Sequence, residues 1–433
     1  MAEQLDAEFV WFFRGKRLTM AVYVMPSMVR SFRQPLPTVA RVSNTYVNVI
    51  SIPPKKIEYR CPTILTFYNK EWVTGPVFAI LAGSGAGSSN FQGSQLNFRD
   101  IMEAAKARNI FIYVLPASAV TDNSQWYGYV RLGYQKWLSI PCPRPQAVYN
   151  RIPTRYLERR AQTVLAKQKL KYYEIPIFNP DYFNKATIYD IIRHAGYDNY
   201  LPHSSGILTK SILFDMLHKL NGVYLKPAGG SVGHGMILIL HQGTGRYVIQ
   251  TLKNGVCDTE SAESFQLLWQ IVDRKRLPGS YVVQEAISLI SWYGRPCDFR
   301  VLLQKHYDTW RVVGKGVRVS GPDTITTHVP NGGYIADTKQ VLREVFADGA
   351  EEVEQRLDLL TLDSARAIDE YYQGRLGEMS MDVGIDKNGR PWFFEANAKP
   401  MKFDEKEIRE KSIAGVIDYL QYLGQGRKKT SRE

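Results

Sequence analysis

The stretch MDVGIDKNGRPWFFEAN, residues 381–397, decides how the chain is read. Asn388-Gly389 at its centre is a strong tight-turn signal, because both residue types accept the backbone that a two-residue hairpin needs. The turn brings a strand around residues 380–385 alongside one around 392–396. Glu395 and Asn397 are two positions apart, so on a strand they share a face. With Asp382 opposite, three oxygen donors converge and leave room for water and phosphate oxygens, which is the donor set Mg2+ asks for. Acidic residues are depleted in strands and costly to bury unpaired, so apolar Trp392, Phe393 and Phe394 beside them favour the metal reading. An exposed hairpin edge is the alternative.

Upstream, KPAGGSVGHG, residues 226–235, joins two apolar strands and carries a lysine at its entry. Glycine lets backbone N–H groups turn toward a phosphate at close range, and Lys226 adds a point charge between phosphate oxygens. A plain hairpin turn fits the loop chemistry equally well. A second glycine run, Gly83, Gly85 and Gly87, follows a strand like a dinucleotide fingerprint. Ser88 replaces its third glycine and no acidic residue sits where a ribose would be read, so it reads as a permissive turn. Neither loop ends in Gly-Lys-Ser/Thr.

At roughly 150 residues per domain, 433 residues correspond to about three domains. Hydrophobic residues at 44% and charged residues at 22% place the chain among folded globular proteins, away from disordered or coiled-coil ones. A net charge of +13 favours an anionic partner without naming it. Cys61, Cys142, Cys257 and Cys297 are too widely spaced for a disulfide framework and form no zinc pair, which points to a reducing compartment. The apolar run at residues 9–13 is followed directly by Arg14, Lys16 and Arg17, the wrong order for a signal peptide. No stretch reaches the roughly 18 to 20 apolar residues of a membrane span. A cytoplasmic protein is expected.

The pattern along the chain gives an α/β (α+β) fold. Residues 1–75 alternate short β-type runs with Pro-bearing turns and form a β-rich region. Residues 76–200 form an α/β domain that opens with a β-loop-α-β unit and so with a parallel sheet. Its segment 154–171 reads as one helix, with Leu157, Ala161, Val164 and Leu165 on one face and a solvated basic face elsewhere; a nucleic-acid face is the alternative. Turn signals between residues 176 and 202 mark a boundary. Residues 201–424 alternate strands with helices near 210–220, 261–273 and 351–373, and residues 425–433 form a basic, disordered tail.

In order, the Lys226 glycine loop, a strand ending in Gln284-Glu285, the pair Asp298 and Arg300, then Arg318, the loop Asn331 to Gly333, Asp382, and Glu395-x-Asn397 resemble the ATP-grasp fold. The wording around Val223–Pro227, Asp382–Asp386 and Glu395–Pro400 is similar to the YheC/YheD group, described as endospore coat-associated proteins. The resemblance extends back to about residue 75, so a pre-ATP-grasp domain precedes the ATP-grasp domain. It implies that Lys226 and Lys210 meet the ATP phosphates, with Gly230, Ser231, Gly233 and Gly235 folding over them. Gln284, Glu285, Ala286 and Ile287 would form the adenine and ribose hinge. Arg300 and Arg318 would contact the γ-phosphate and the transferring group, Asn331 and Gly332 would close over the substrate, and Asp382, Glu395 and Asn397 would hold Mg2+.

The shared chemistry of such enzymes is ligation: a carboxylate attacks the γ-phosphate of ATP and an amine captures the acyl-phosphate. Two anions must meet, so Mg2+, lysine and arginine supply neutralising charge and the hinge supplies orientation. The resemblance implies ATP, Mg2+, a carboxylate or peptide substrate and spore coat proteins as partners; nucleic acid is not expected. His234 stands where many relatives have lysine or arginine, which weakens phosphate contact without removing a glycine. Of the seven histidines, only His328 beside the Asn331 loop merits mutation. A structural coat protein that binds ATP without turning it over is the alternative function, and a polyanion binder built on the basic helix and tail is a third.

Overall fold

In the computed structural model, which describes residues 4–29, 36–85, 90–123, 125–133, 136–227, 234–253, 256–321 and 332–426, the short N-terminal runs close into a barrel. Strands Gln4–Arg14, Arg17–Tyr23, Val39–Val42, Thr45–Ile50, Tyr59–Tyr68 and Glu71–Thr74 form its ring. Burial on both faces of its strand explains the apolar run over residues 9–12, while Phe13 is exposed. Phe9 and Trp11 join the core shared with the next sheet, with ring centroids 5.8 and 5.0 Å from Phe111. Val10 and Phe12 pack separately against Ala21.

The next sheet has a parallel centre, as the β-loop-α-β pattern predicts. Val77–Ser84 pairs in parallel with Phe111–Pro116 and with Ala147–Asn150, which pairs in turn with Ile177–Phe178. Helix Gln95–Lys106 covers it through Phe98, Ile101, Met102 and Ala105. Gly87 and Ser88 lie outside the described residues.

Three helix readings need correction. The segment read as one helix breaks at Arg160, whose ψ of 142° is extended, into Arg155–Arg159 and Ala161–Tyr172. The break resets the phase, so Thr163, Ala166 and Leu170 are buried while Ala161, Val164 and Leu165 face solvent. The helix expected at residues 261–273 starts later, as Phe265–Lys275, because Ser264 caps it and Val256–Ala262 completes a strand. The stretch read as turns contains helix Lys185–Ile192, capped by Asn184, whose Oδ1 accepts from the N–H groups of Ala186 and Thr187 at 3.0 and 3.3 Å.

Two further sheets follow. The first is antiparallel, in the order Ser204–Ser205, Tyr281–Glu285, Gly222–Pro227, Ile237–His241, Tyr247–Lys253 and Val256–Ala262. Helices Lys210–Lys219 and Phe265–Lys275 cover one face, packing Leu213, Leu217, Leu268 and Ile271 on Val223 and Leu225. The second runs Tyr334–Ala336, Thr309–Val319, Arg295–His306, Glu378–Ile385 and Pro391–Asn397. Helix Ala350–Tyr371 packs on it through Val353, Leu357, Leu360 and Ile368. The hairpin forms, but the loop is longer than a two-residue Asn388-Gly389 turn: Gly389 has φ 75° while Asn388 has no positive φ. The Gly389 N–H donates to the Asp386 carbonyl, and Asp386 Oδ1 accepts from the Asn388 and Arg390 N–H groups at 2.9 and 3.1 Å.

The last helix, Lys406–Gly424, returns to the upstream sheet and buries Val416, Ile417, Tyr419, Leu420 and Leu423 in the core with Val77–Leu81 and Phe111–Leu115. Gly415 is needed where it crosses Gln304, because a Cβ there would collide with the Gln304 side-chain oxygen. Tyr419 packs edge-on to Phe178 at 5.1 Å and donates to the Leu376 carbonyl at 3.2 Å. Tyr419→Ala therefore removes a buried ring that joins two sheets, and is expected to cost about 3–5 kcal/mol. Urea unfolding with and without the substitution checks this; a loss below about 1 kcal/mol contradicts the packing described.

Candidate functional site

Three strands lay the central residues in one row. Arg300 pairs in register with Asp382, and Asp382 with Glu395. Their neighbours Phe299, Val301, Met381, Val383 and Phe393 point into the opposite face and its core. A register shift between Asp382 and Val383 is essential here. The strand Pro391–Asn397 holds one extra residue, so Phe393 and Ala396 both face the core while Glu395 and Asn397 face the site. A bulge re-aims side chains in this way.

Arg318 crosses the row from the neighbouring strand. Its Nε and Nη2 donate to the two oxygens of Asp298 at 2.8 and 2.7 Å, and Nη2 also lies 2.9 Å from Asp382 Oδ2. All three side chains are nearly excluded from solvent. Burial raises the Asp382 carboxyl above the usual carboxylate range, reinforced by Asp298 and Glu395, and Arg318 only partly offsets it. Burial pushes Glu395 the same way, but Lys185 at 2.9 Å, Asn397 and Lys226 outweigh it and hold the carboxyl low. Asn397 donates to Glu395 Oε1 at 3.1 Å.

Among the described residues, two buried atoms in the row have no hydrogen-bond partner: Asp382 Oδ1 and Arg300 Nε. The orphaned carboxylate oxygen, with Glu395 and Asn397 on the same face, fits a hard divalent cation. Among the described residues no group of three His, Cys, Asp or Glu side chains is placed to hold a metal ion, so that fit rests on two carboxylates and an amide.

The antiparallel sheet before it supplies the opposite wall. Lys226 alternates with core residue Leu225 and so faces away from the helices, donating to Gln284 Oε1. Gln284 Nε2 in turn donates to the Tyr189 hydroxyl at 2.7 Å, and that hydroxyl to the Phe394 carbonyl at 3.0 Å. One chain of hydrogen bonds thus links Lys226 to the strand that carries Glu395. Burial, with nearby Lys185, lowers the Lys226 ammonium to about 8.

The other expected residues fall as follows. The Glu285 carboxylate accepts from the His203 N–H at 3.1 Å, and the Ala286 N–H donates to the Gly222 carbonyl at 3.0 Å. Ala286 and Ile287 begin the irregular connection between the two sheets. Lys210 is not brought to the row: it is exposed, and its Nζ donates at 2.6 Å to Gln266 on the helix-covered side. Gly235 closes the glycine loop with φ 75°, its carbonyl accepting from the Tyr281 hydroxyl at 2.9 Å. Gly332 has φ 83°. Gly230, Ser231, Gly233, His328 and Asn331 lie outside the described residues, as does the tail from residue 427.

Lys185 and Tyr189 were missed by sequence reasoning, and Asp298 was noted without a role. A signal for the first two existed: Asn184 is a good N-cap, and Ile188 and Ile192, four apart, are the buried face of the helix it starts. Nothing local connects that helix to Glu395, more than two hundred residues later.

Two separate antiparallel sheets that face a row of carboxylates and cations across a short connection define the ATP-grasp class. Residues 174–423 match the family described as YheC/D like ATP-grasp, and the chain belongs to that family. It is 32% identical over 272 residues to the endospore coat-associated protein YheD of Bacillus subtilis (strain 168), covering 61% of this chain and 58% of that protein. It is 27% identical over 222 residues to YheC of the same organism, covering 49% and 58%. The chain thus spans less than two thirds of either relative. The solved ATP-grasp ligase PsnB, complexed with a phosphomimetic variant of its minimal precursor, Mg and ADP, superposes with a TM-score of 0.47 at 14% identity, over 80% of this chain and 97% of that one.

Arg318→Met leaves Asp298 and Asp382 buried without their cation, which is expected to destabilise the protein by about 3–5 kcal/mol near neutral pH. Without Arg318 the Asp382 carboxyl, already raised by burial, lies further above its unfolded value, so the deficit is present while it is charged and shrinks on acidification. Urea unfolding at pH 8 and pH 5 reads this; a deficit that grows toward pH 5 contradicts it.

Proposed function

We propose that this chain is an ATP- and Mg2+-dependent ligase that activates a carboxylate as an acyl-phosphate for attack by an amine. The observation that carries the reading is a pair of buried atoms in one cross-strand row, Arg300 Nε and Asp382 Oδ1, that have no partner among the described residues. A buried donor or acceptor without a partner costs about 1–3 kcal/mol. A donor for an anion and an acceptor for a cation, side by side, are both satisfied by a phosphate and its counter-ion.

In this reading Asp382, Glu395 and Asn397 hold Mg2+, which when bound neutralises phosphate charge. Lys226 and Arg300 contact the phosphates from the two walls. Gly230, Ser231, Gly233 and Gly235 cover them, Gln284 through Ile287 receive the nucleoside, and Asn331 closes over the substrate. Arg318 lays one edge of its guanidinium, Nε and Nη2, on Asp298 and also reaches Asp382. Its proposed role is therefore to position Asp382, and Arg300 is the arginine that meets the transferring group. A substrate carboxylate oxygen attacks the γ-phosphorus and ADP leaves. The amine nitrogen then attacks the acyl carbon, phosphate departs, and the amine proton is released.

The names of the two relatives motivate a finer reading, in which the amide joins components of a spore coat or envelope. Among the described residues no helix is long and apolar enough to cross a membrane. The engagement of Arg318 by carboxylates favours, as a second reading, a coat-associated protein that binds ATP without turnover. Incubation with ATP, Mg2+, hydroxylamine and a panel of carboxylates separates them, because only the ligase yields a hydroxamate with ADP. Asp382→Asn and Glu395→Gln are expected to lower ADP release by about 100-fold or more, and unchanged release in both variants sinks the ligase reading.

Lys226 adds a pH signature. Its ammonium, lowered to about 8, is mostly neutral at pH 8.5 in the free protein. A triphosphate beside it favours the charged form, so ATP binding at pH 8.5 takes up a proton. Calorimetry in two buffers of different ionisation enthalpy is expected to show that uptake in the wild type and not in Lys226→Met. Equal proton linkage in both would remove Lys226 from the phosphate site.

A further inference from the structure

The helix Ala161–Tyr172 is apolar on two opposite faces. Thr163, Ala166 and Leu170 point inward and are buried. On the outside, Val164 is 43%, Leu165 50% and Tyr172 79% exposed, and Tyr156 on the preceding helical turn is 70% exposed. Scattered surface hydrophobes are ordinary. Leu165 and Tyr172, with Ala161 and the polar Gln168, follow the 4-3-4 spacing of a coiled-coil seam and form one line along the helix, while Val164 and Tyr156 lie outside it.

Exposed cations outnumber exposed carboxylates around the line. Between residues 153 and 174 the carboxylates are Glu158, which is buried and held by Lys167 and Lys399, and the exposed Glu174 just past the helix. Lys169 and Lys171 flank the seam on its two sides. Asp122 offsets Lys169 at 2.9 Å, which leaves the exposed Lys171 and, at the other end, exposed Arg155, Arg159 and Arg160. Arg155 and Arg160 lie over the rings of Tyr182 and Tyr156, and Arg160 is the N-cap of the second helix, where the macrodipole disfavours a cation. Carboxylates of an acidic partner would offset the positive charge gathered at that end.

We infer that this face docks an acidic amphipathic helix of a protein partner, its apolar seam on Leu165 and Tyr172 and its carboxylates on the arginines and Lys171. A narrow apolar line with flanking charge is the complement of such a helix, whose seam sets register and whose flanking charges choose the partner. A second copy of the chain is a poorer complement. On the exposed row of its acidic helix Ala350–Tyr371, Glu352 and Asp363 are already paired with Arg356 and Arg366 on either side of Leu359. The inference is independent of the ligase reading, since no residue of the row at Asp382 takes part.

The test uses the full chain and a labelled synthetic 21-residue helix with leucine at seam positions and glutamate at flanking positions, read by fluorescence anisotropy. A second peptide carries lysine at the flanking positions. The acidic peptide is expected to bind at least about tenfold more tightly than the basic one at low salt, and to lose that advantage as salt rises. Leu165→Glu, Tyr172→Glu and Arg159→Glu each lie at the surface, leave the melting temperature unchanged, and are expected to weaken binding about tenfold. Equal affinity for the two peptides, no binding, or full affinity in all three variants overturns the proposal. So does either rival occupant, seen as phosphatidylglycerol-vesicle binding or a dimer in sedimentation that the same substitutions abolish while peptide affinity is retained.

Discussion

The site depends on one buried guanidinium. Arg318 lies between Asp298 and Asp382, with two bonds to the first and one ion pair to the second. Burial and the like charge of Asp298 both favour the neutral acid at Asp382, and Arg318 opposes them. Arg318 suits the task since its planar fork meets a carboxylate with two parallel bonds and it stays charged at any relevant pH. Such a triad adds little net stability over an apolar packing of the same volume, but removing one member exposes the full desolvation penalty of the others. What it secures is placement. Asp382 is held by one oxygen, and the other faces the row with Arg300 and Glu395.

From there the electrostatics spread outward in alternating sign. Glu395 is kept ionised by Lys185 and by the more distant Lys226, and Lys226 itself is lowered because it is half-buried beside another cation. Four cations, Lys185, Lys226, Arg300 and Arg318, therefore face three carboxylates, Asp298, Asp382 and Glu395. A near-balanced cluster can persist in a desolvated cleft without a ligand. It can also accept a highly charged one, since each partner can exchange an internal contact for an external one.

A second polar seam fixes the upstream sheet against this cluster. Asn179, fully buried, donates to the carbonyls of Glu378 and Ala398 and accepts from the Gly377 N–H at 2.8 Å. Lys399, two residues beyond Asn397, donates to Glu158 and to the Ile152 carbonyl at 3.1 Å. Arg151 reaches the Pro400 carbonyl at 3.0 Å. Buried groups so fully engaged specify one docking geometry, because any sliding leaves a charge or an amide unpaired. The C-terminal helix adds the apolar counterpart by burying Tyr419 and Leu420 in the upstream core.

The hairpin at Asn388-Gly389, the lysine at the head of the glycine loop and the apolar strands around them were legible in the sequence because each depends on residues close in the chain: turn chemistry, alternation and strand length. The family followed from the order of those motifs. Other features were decided only when distant segments met. A bulge at Asp382 sets Glu395 and Phe393 on opposite faces although they are two apart, and strand alternation alone would have put them together. A break at Arg160 turned Val164 and Leu165 outward, against a reading that assumed one continuous helix. Lys185 and Glu395 found each other through packing, and Arg318 met two carboxylates where the motif order implied a phosphate. Local sequence determines which backbone shape and which charges are present; which charge neutralises which is a contest over desolvation, and only the assembled tertiary structure settles it.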